Sequence, residues 1–433
     1  MKRDAARAFL SAFRIYRDRR MVLIAVLGFA SGLPLALTFA TLSAWLAKEG
    51  VGLTTIGLFA LVGLPYAFKF AWSPLVDGLR LPGLSRRLGR RRGWMLASQA
   101  AVALAIGALG LTDPARAPAV TAALALTVAF LSATQDIVID AWRIEILAAR
   151  EQGAGAAAVQ LGYRIGMLVS GAGALYIADA FGFTAAYIVM AAVMGVGMAA
   201  TLLAHEPASP PDRKPAQPSG GAVNWIARHV VAPFTDVLSR RGWLAILLFI
   251  VLYKFGDAIA GVMAAPFFID LGFTLTAIAS ITKVFGVAAT LVGVVMGGVL
   301  VARIGIFHAL VAGGVLQMLS NLMFAVQAAA GPDTWVLTAT IAIENFSGGL
   351  GTAAFVAYIS RLCSFEFTAT QYALFSSLAS VGRTVLSSGG GWLAVQLDWT
   401  WFFIASAGCA LPGLAVLIWL SARDSNARVT QAP

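Results

Sequence analysis

Long apolar runs separated by short polar connections dominate this chain. Runs of roughly twenty or more mostly apolar residues, enough to cross a bilayer as a helix, recur along its whole length. No stretch alternates apolar and polar residues as the strands of a membrane barrel do. The pattern therefore predicts an all-α membrane protein with about twelve transmembrane helices, which begin near Met21, Thr54, Gly93, Val120, Gly155, Thr184, Gly242, Leu275, Gly305, Thr334, Thr370 and Trp399.

One polar segment interrupts this pattern near the middle of the chain. Its EPASPPDRKPAQPSGG portion is rich in Pro, Gly and Ser, a composition typical of a flexible linker. The linker leaves six predicted spans on either side. We therefore predict a cytoplasmic amphipathic N-terminal segment at 1–20, an N-terminal six-helix bundle at 21–204, a cytoplasmic linker at 205–241, a C-terminal six-helix bundle at 242–422 and a cytoplasmic tail at 423–433.

Two local similarities indicate that the halves are repeats of one unit. WLAKEGVGLTTIG from Trp45 aligns with FFIDLGFTLTAIA from Phe267, at an offset of about 222 residues. Arg164 and Arg383 each precede a cluster of small residues, at an offset of about 219. Parallel six-helix repeats of this kind build the major facilitator fold, so we predict two pseudo-symmetric six-helix bundles.

The basic residues are placed as a membrane topology signal. Charged residues make up 12% of the chain, against about 25% in soluble proteins. The net charge of +11 would suit nucleic acid, but roughly 23 of the 31 basic residues fall on alternate connections. Basic loops stay in the cytoplasm. We therefore expect a multi-pass protein of the bacterial inner membrane with both termini in the cytoplasm, a lipid bilayer as partner and no nucleic acid.

The sequence offers no pattern typical of an enzyme or a metal protein. Cys363 and Cys409 fall in different late spans, where we expect ordinary packing. The histidines, His205, His229 and His308, lie in or near predicted cytoplasmic loops. Neither a nucleophile motif nor a metal-ligand spacing occurs. We therefore expect no catalytic residue, no metal and no cofactor.

Ionisable residues inside the predicted spans are the main functional signal. Each would cost roughly 2.5–3.5 kcal/mol at a helix centre that faces lipid, so most must face each other or water. A scaffold has little reason to carry so many, and a transporter does. Lys69 and Lys283 could equally reach the interface with their long side chains. The full set is Lys69, Asp136, Asp140, Arg143, Arg164, Lys254, Asp257, Lys283, Glu344 and Arg383.

The fourth predicted span carries the densest group of these residues. Asp136, Asp140 and Arg143 stand at i, i+4 and i+7, so they share one helical face. Two carboxylates one turn apart in a medium of low dielectric do not both ionise cheaply. Because Arg143 can keep Asp140 charged, Asp136 is the candidate for reversible protonation. A static Asp–Arg pair that braces the bundle is the alternative.

Further candidates lie on the other spans predicted to line a central cavity. Glu344 joins Asp136 and Asp140 as a candidate for proton coupling. The bases outnumber the acids in this set, six to four, which favours a substrate with carboxylates or phosphates. The tyrosines could hydrogen-bond or stack on sugar. We predict substrate contacts from Gln135, Tyr163, Arg164, Lys254, Asp257, Asn345 and Arg383.

The connection after the second span carries an acid followed by a basic cluster. Asp77 precedes Gly89-Arg90-Arg91-Arg92, with about eleven residues between Asp77 and Gly89. This resembles the major facilitator signature between spans two and three, in which an acid pairs with basic residues and helix ends to hold one gating state. The resemblance implies a gating role for Asp77, Arg90 and Arg91. Positive charge that only sets topology is the alternative.

Several longer motifs resemble the AmpG muropeptide permeases. They include GFASGLP from Gly28, GLPYAFKFAWSPLVD from Gly63, SATQDIVIDAW from Ser132 and ENFSGGLGTAAFVAYISRLC from Glu344. YKFGDAIAG from Tyr253 and TATQYALFSSLASVGR from Thr368 extend the resemblance to nearly all spans. The acetyl-coenzyme A transporters share something like the Gln-Asp-Ile-x-x-Asp element.

This resemblance implies a major facilitator fold and a function. It implies proton-driven import of N-acetylglucosaminyl-1,6-anhydro-N-acetylmuramyl peptides, an anionic glycopeptide substrate, by alternating access. That import serves peptidoglycan recycling and feeds β-lactamase induction. We expect a monomer with protons as the coupling ion. A transporter of another anionic metabolite, such as a nucleotide thioester, and an exporter of drugs or metabolites are the alternatives.

Overall fold

The computed structural model describes residues 14–51, 59–207, 224, 226–273, 277, 280–387 and 390–429. Nearly all of these residues are helical, and none of them forms a strand. Most of the predicted N-terminal segment, a large part of the predicted linker and the last residues of the tail lie outside the described ranges. The domain bounds given above therefore stay predictions.

The described α-helices follow one another with short connections. In the first half of the chain they are α1 (Arg19–Thr38), α2 (Ala40–Lys48), α3 (Leu64–Phe68), α4 (Ser73–Gly78), α5 (Leu84–Leu88), α6 (Arg90–Gly110), α7 (Pro118–Ile146), α8 (Gln152–Leu168), α9 (Ala174–Phe181), α10 (Phe183–Val193) and α11 (Gly195–Leu203). In the second half they are α12 (Ala232–Ser239), α13 (Trp243–Leu252), α14 (Phe255–Asp270), α15 (Val287–Ala330), α16 (Thr334–Leu362), α17 (Thr368–Ser387), α18 (Gly390–Gln396), α19 (Trp399–Gly408) and α20 (Leu411–Val429).

Eight helical segments of the described ranges are long and apolar enough to cross a membrane. The longest contains α15 and bends at Gly305, whose φ of 80° and ψ of 165° are non-helical. One predicted span begins at this glycine, and the two arms of α15 account for two spans. The predicted spans near Thr54 and Leu275 begin at residues outside the described ranges.

The chain forms two compact units. The first comprises Met1–Ala149, Ala158–Thr235 and Leu362–Ser377. Within it, the backbones of α1 and α8 approach closely at glycines: a Cβ at Gly162 would lie 1.8 Å from the carbonyl oxygen of Ala25. Small residues permit this approach where lipid supplies no hydrophobic force between helices. This close contact holds α1, which carries Ser31 next to Asp136, against α8.

The second unit comprises Arg150–Ala157, Asp236–Arg361 and Leu378–Pro433. Its core is aromatic, with Phe267, Phe324 and Phe403 packed together and ring centroids 4.8 Å apart for both contacts of Phe403. Glycines also bring α15 against α16, since a Cβ at Gly293 would lie 2.1 Å from the carbonyl oxygen of Phe346. This tight contact holds the polar residues of α16 next to those of α15.

Candidate functional site

In the first unit, the acid predicted to bind protons lies between helices. Asp136 on α7 accepts a hydrogen bond from the hydroxyl of Ser31 on α1. Lys69 and Asp140 both interact electrostatically with Asp136. Lys69 itself is 9% exposed, so it is buried near the acid rather than extended into solvent. The structure therefore brings one base and one hydroxyl donor to the acid.

The second acid of this span has its own partner. The Nη2 atom of Arg143 lies 3.5 Å from Oδ1 of Asp140. The guanidinium of Arg143 lies 5.5 Å from the ring centroid of Tyr372 on α17, a cation–π distance. Arg143 is fully buried. Its contact with Tyr372 connects the end of α7 with the start of α17 inside the first unit.

Three predicted substrate residues of the first unit have different surroundings. Gln135 is 0% exposed, and neither polar atom of its side chain has a hydrogen-bond partner in the described part of the chain. Arg164 is exposed, and we find no ion pair that joins it to a described residue. Tyr163 is half-buried beside it. Arg164 is thus the accessible cation of this group, and Gln135 is enclosed.

In the second unit, Lys254 and Asp257 form a pair at the start of α14. The Nζ atom of Lys254 lies 3.4 Å from Oδ2 of Asp257 and 3.3 Å from the carbonyl oxygen of Gly348. The side-chain amide of Gln317 donates to the same Oδ2 atom. The pair therefore connects α14 with α15 and α16.

Glu344 and Asn345 follow one another on α16. The Nδ2 atom of Asn345 donates to Oε2 of Glu344 at 2.7 Å. Thr290 donates to Oδ1 of Asn345 at 2.9 Å, which fixes the orientation of the amide. Arg383 stands on α17, but its side chain, like that of Lys283, lies outside the described residues. The structure therefore leaves the predicted role of Arg383 a prediction.

The predicted gating residues form a buried ionic cluster. Arg91 lies 2.8 Å from Oδ1 of Asp77, and its Nε atom donates to both oxygens of Glu145 at 3.2 and 3.1 Å. Arg90 lies 3.7 Å from Oδ1 of Asp77 and 3.9 Å from Oε1 of Glu145, and its Nη1 atom donates to the carbonyl oxygen of Asp77. Two acids and two bases balance here, as burial of charge requires.

The short helix α5 explains how distant sequence positions meet in this cluster. Gly83 and Gly89 flank α5 with φ values of 73° and 91°, which favour glycine. The chain therefore leaves α4, makes one turn and a half of helix and returns, so that Arg90 and Arg91 at the start of α6 face Asp77. The long spacing is accommodated by an added helix.

The carboxylate of Asp77 lies outside the candidate membrane spans. Burial by itself would raise its pKa, but the charges of Arg91 and then Arg90 hold the pKa below the ordinary value. Thr370, at the start of α17, donates to Oδ2 of Asp77 from its backbone amide and from its hydroxyl. Asp77 therefore ionises readily and caps this helix.

A further acid, which is not part of the predicted gating signature, caps the start of α6. The carboxylate of Glu206 accepts hydrogen bonds from the backbone amides of Arg91 and Arg92, at 2.8 and 3.0 Å. Trp142 donates to the carbonyl oxygen of His205 at 2.8 Å. The first residues of the predicted linker are thus attached to the ends of α6 and α7.

Two relatives place the chain in one family. The chain is 44% identical over 407 residues to the anhydromuropeptide permease of Escherichia coli K12. This alignment covers 94% of this chain and 80% of the relative. It is 36% identical to the putative transporter AmpG 4 of Rickettsia felis, over 94% of this chain and 98% of that one. The chain belongs to the AmpG family of the major facilitator superfamily.

Profiles and solved structures place this AmpG-family chain in the same superfamily. The Major Facilitator Superfamily profile matches residues 250–433, and the profile of Acetyl-coenzyme A transporter 1 matches residues 20–117. The transporter FucP in the outward conformation superposes with a TM-score of 0.69 at 12% identity, over 92% of this chain and 98% of FucP. The proton:xylose symporter XylE gives 0.62 at 11% identity, over 93% and 94%. The major facilitator fold is confirmed, and the chain is a multi-pass membrane protein.

Sequence reasoning missed several residues that complete these clusters in the AmpG-family fold. They are polar residues whose partners come from distant helices, so that only their position inside or beside an apolar run could have marked them. Ser31 does stand inside the quoted GFASGLP motif, and Thr370 inside TATQYALF. The full set is Ser31, Glu145, Glu206, Gln317 and Thr370.

Proposed function

We propose that this chain imports anhydromuropeptides across the bacterial inner membrane by proton-coupled alternating access, for peptidoglycan recycling. The observation that carries the proposal is 44% identity, over 94% of the chain, to an anhydromuropeptide permease. Buried charged clusters in both units support a transporter rather than an enzyme, because such charges are costly in a membrane and mark transport pathways. In a cell with an inducible β-lactamase, the imported product would feed its induction.

In this proposal Asp136 and Glu344 exchange protons, with Asp140 assisting Asp136. Asp136 has one hydroxyl donor and lies near one base and one acid, so a change of partner changes the stability of its charge. Moving one negative charge inward against 100 mV costs roughly 2.3 kcal/mol. An anionic glycopeptide therefore needs more cotransported protons than its own charge to accumulate.

Substrate carboxylates meet basic residues in this proposal. Arg164 is an exposed base within a predicted span of the first unit, and Lys254 is the base beside Asp257 in the second. We assign the same role to Arg383 from its position on α17. Tyr163 and Asn345 would hydrogen-bond the sugar or peptide. Gln135, enclosed in this structure, would reach substrate only in another conformation.

Asp77, Arg90 and Arg91 would act as the gate. Their cluster with Glu145 and Thr370 joins the ends of α4, α6, α7 and α17, so that opening it costs several charge-assisted hydrogen bonds at once. The basic connections support a topology with both termini in the cytoplasm. We propose that a monomer suffices for transport, because each unit carries its own cluster.

A second candidate function is transport of another anion, such as a nucleotide thioester. It is favoured by the match of residues 20–117 to the profile of Acetyl-coenzyme A transporter 1. The accessible Arg164 would suit phosphates as well as carboxylates.

The test is uptake of labelled anhydromuropeptide into liposomes that contain the purified protein, under a pH gradient acid outside. We expect accumulation that a protonophore abolishes. Asp136→Asn should bind substrate but not accumulate it, while Asp179→Asn, which changes an exposed acid, should behave as the wild type. Uptake of acetyl-coenzyme A without uptake of anhydromuropeptide would favour the second candidate, and uphill uptake by correctly inserted Asp136→Asn would remove Asp136 from the coupling.

A further inference from the structure

A buried glutamine supports the charged pair of the second unit. Gln317 stands on the second arm of α15 and is 3% exposed. Its Nε2 atom donates to Oδ2 of Asp257, the same atom that Lys254 approaches to 3.4 Å. One carboxylate oxygen therefore has a neutral donor and a charged donor at once.

The two donors differ in their access to solvent. The side chains of Lys254 and Asp257 are 19% and 24% exposed, while Gln317 is enclosed. Lys254 can therefore meet an incoming anion, whereas Gln317 can act only through Asp257. The bond from Lys254 to the carbonyl oxygen of Gly348, at 3.3 Å, leaves the ammonium group a second anchor on α16.

The orientation of the Gln317 amide is fixed by its surroundings. Its Oε1 atom faces Gly351, where an added Cβ would lie 2.4 Å away. Oε1 has no hydrogen-bond partner among the described residues. A flipped amide would aim this oxygen at a carboxylate, so the need of Asp257 for a donor holds the amide as it stands.

The other acid of this unit has the same kind of support. Asn345 donates to Glu344 at 2.7 Å and is itself held by Thr290. Among the described ionisable groups, Lys254 and Tyr253 beside it and Glu344 from α16 act on Asp257. Each acid thus has a neutral amide donor, and Lys254 is the one base of this group in the described part of the unit.

We propose that Gln317 is a positioning residue that keeps Asp257 hydrogen-bonded while Lys254 turns from Asp257 to a carboxylate of the substrate. Without the Gln317 donor, the partly buried carboxylate of Asp257 would keep one hydrogen bond fewer each time Lys254 moved away, and this cost would hold Lys254 in place. With Gln317 present, Asp257 keeps its hydrogen bond to the amide while the ammonium of Lys254 exchanges the Asp257 carboxylate for a carboxylate of the substrate. This inference rests on the proposed function, because it requires an anionic substrate.

The test compares uptake kinetics of anhydromuropeptide by Gln317 variants in liposomes. Gln317→Leu keeps the shape and removes the donor, and we expect its KM to rise about tenfold with a maximal rate within twofold of the wild type. Gln317→Asn stays polar but is too short to reach Asp257, so it should show the same rise if the leucine variant fails to fold. The matched control is Ser320→Ala, since Ser320 is buried on the same arm and donates only to the carbonyl oxygen of Gln317, at 2.8 Å; its KM should not change.

Two further readouts separate positioning from packing. Gln317→Glu can donate to Asp257 only when protonated, so its KM should approach that of the wild type in acid and rise toward neutral pH; a leucine variant has no such profile. A substrate analogue with amidated carboxylates should have a high KM with the wild type, and Gln317→Leu should not raise that KM further. Folded leucine and asparagine variants with an unchanged KM would overturn the role of Gln317 alone. Absence of uptake by the wild type would overturn the proposed function and this inference with it.

Discussion

Asp77 and Thr370 stand 293 positions apart, yet one carboxylate oxygen of Asp77 accepts both the backbone amide and the hydroxyl of Thr370, each at 2.8 Å. The same carboxylate pairs with Arg91 through its other oxygen. With one side chain, Asp77 therefore caps the start of α17 and neutralises the charge of Arg91 on α6. Such a shared acid makes the two contacts depend on each other.

The Thr370 hydroxyl offers a clean way to weaken this link. Thr370→Val keeps the shape and the backbone bond but removes the hydroxyl donor, and we expect it to lower the free energy of unfolding by about 1.5–3 kcal/mol, as for a hydrogen bond to a charged group. Thermal unfolding of the purified protein measures this. Thr338→Val is the control, since its exposed hydroxyl bonds only to the carbonyl oxygen of Thr334; equal losses in the two variants would contradict the link.

The stabilising effect of the Asp77 carboxylate should be insensitive to pH across the physiological range. Because the pKa of Asp77 is held below its ordinary value, its stabilising effect is complete above the unfolded value of about 3.9 and is lost as the pH falls through the folded value. The difference in melting temperature between the wild type and Asp77→Asn should be constant from pH 8 to pH 5 and shrink below about pH 4. A difference that already shrinks between pH 7 and pH 6 would show that another group titrates with the cluster.

Glu206 should stabilise the start of α6 although it belongs to the predicted linker. Glu206→Ala removes both acceptors from two backbone amides, and we expect a loss of about 0.5–2 kcal/mol in unfolding free energy. Glu206→Gln keeps one oxygen acceptor and should lose less. Chemical or thermal unfolding at matched detergent concentration provides the comparison, and equal losses would mean that charge rather than acceptor geometry matters.

The α1–α8 contact should not tolerate a single methyl group. Gly162→Ala would place a Cβ 1.8 Å from the carbonyl oxygen of Ala25, forcing apart the helices that hold Ser31 and Arg164, at a cost of about 1–3 kcal/mol or more. Gly195→Ala is the matched control, because a Cβ there meets nothing within 4 Å. Melting temperature and yield of folded protein should fall for Gly162→Ala alone; a stable alanine variant would indicate that the helices can separate freely.

The sequence predicted contacts along one helix better than contacts between helices. The spacing of Asp140 and Arg143 placed them on one face, and the structure has them 3.5 Å apart. The period of a helix is enough for that prediction. The proton-coupling, substrate and gating roles assigned to such residues stay predictions.

Partners from other helices depend on packing that a single sequence does not encode locally. Gln317 reaches Asp257 across 60 positions and Arg91 reaches Glu145 across 54. Both contacts require two helices to approach each other at particular heights, which the pattern along one helix does not give. The long spacing before Arg90 is likewise explained by α5, a helix that the spacing alone does not predict.

The charges clustered around Asp77 also bear on how the chain is synthesised. Asp77, Arg91 and Glu145 all emerge from the ribosome well before α17, and domains fold from the N-terminus onward during synthesis. Together with Arg90, these three residues balance their charges with no help from later sequence. Thr370 arrives last and adds its two hydrogen bonds to a cluster already neutralised. In the nascent first half, the charges of this cluster can therefore pair before α17 has been synthesised.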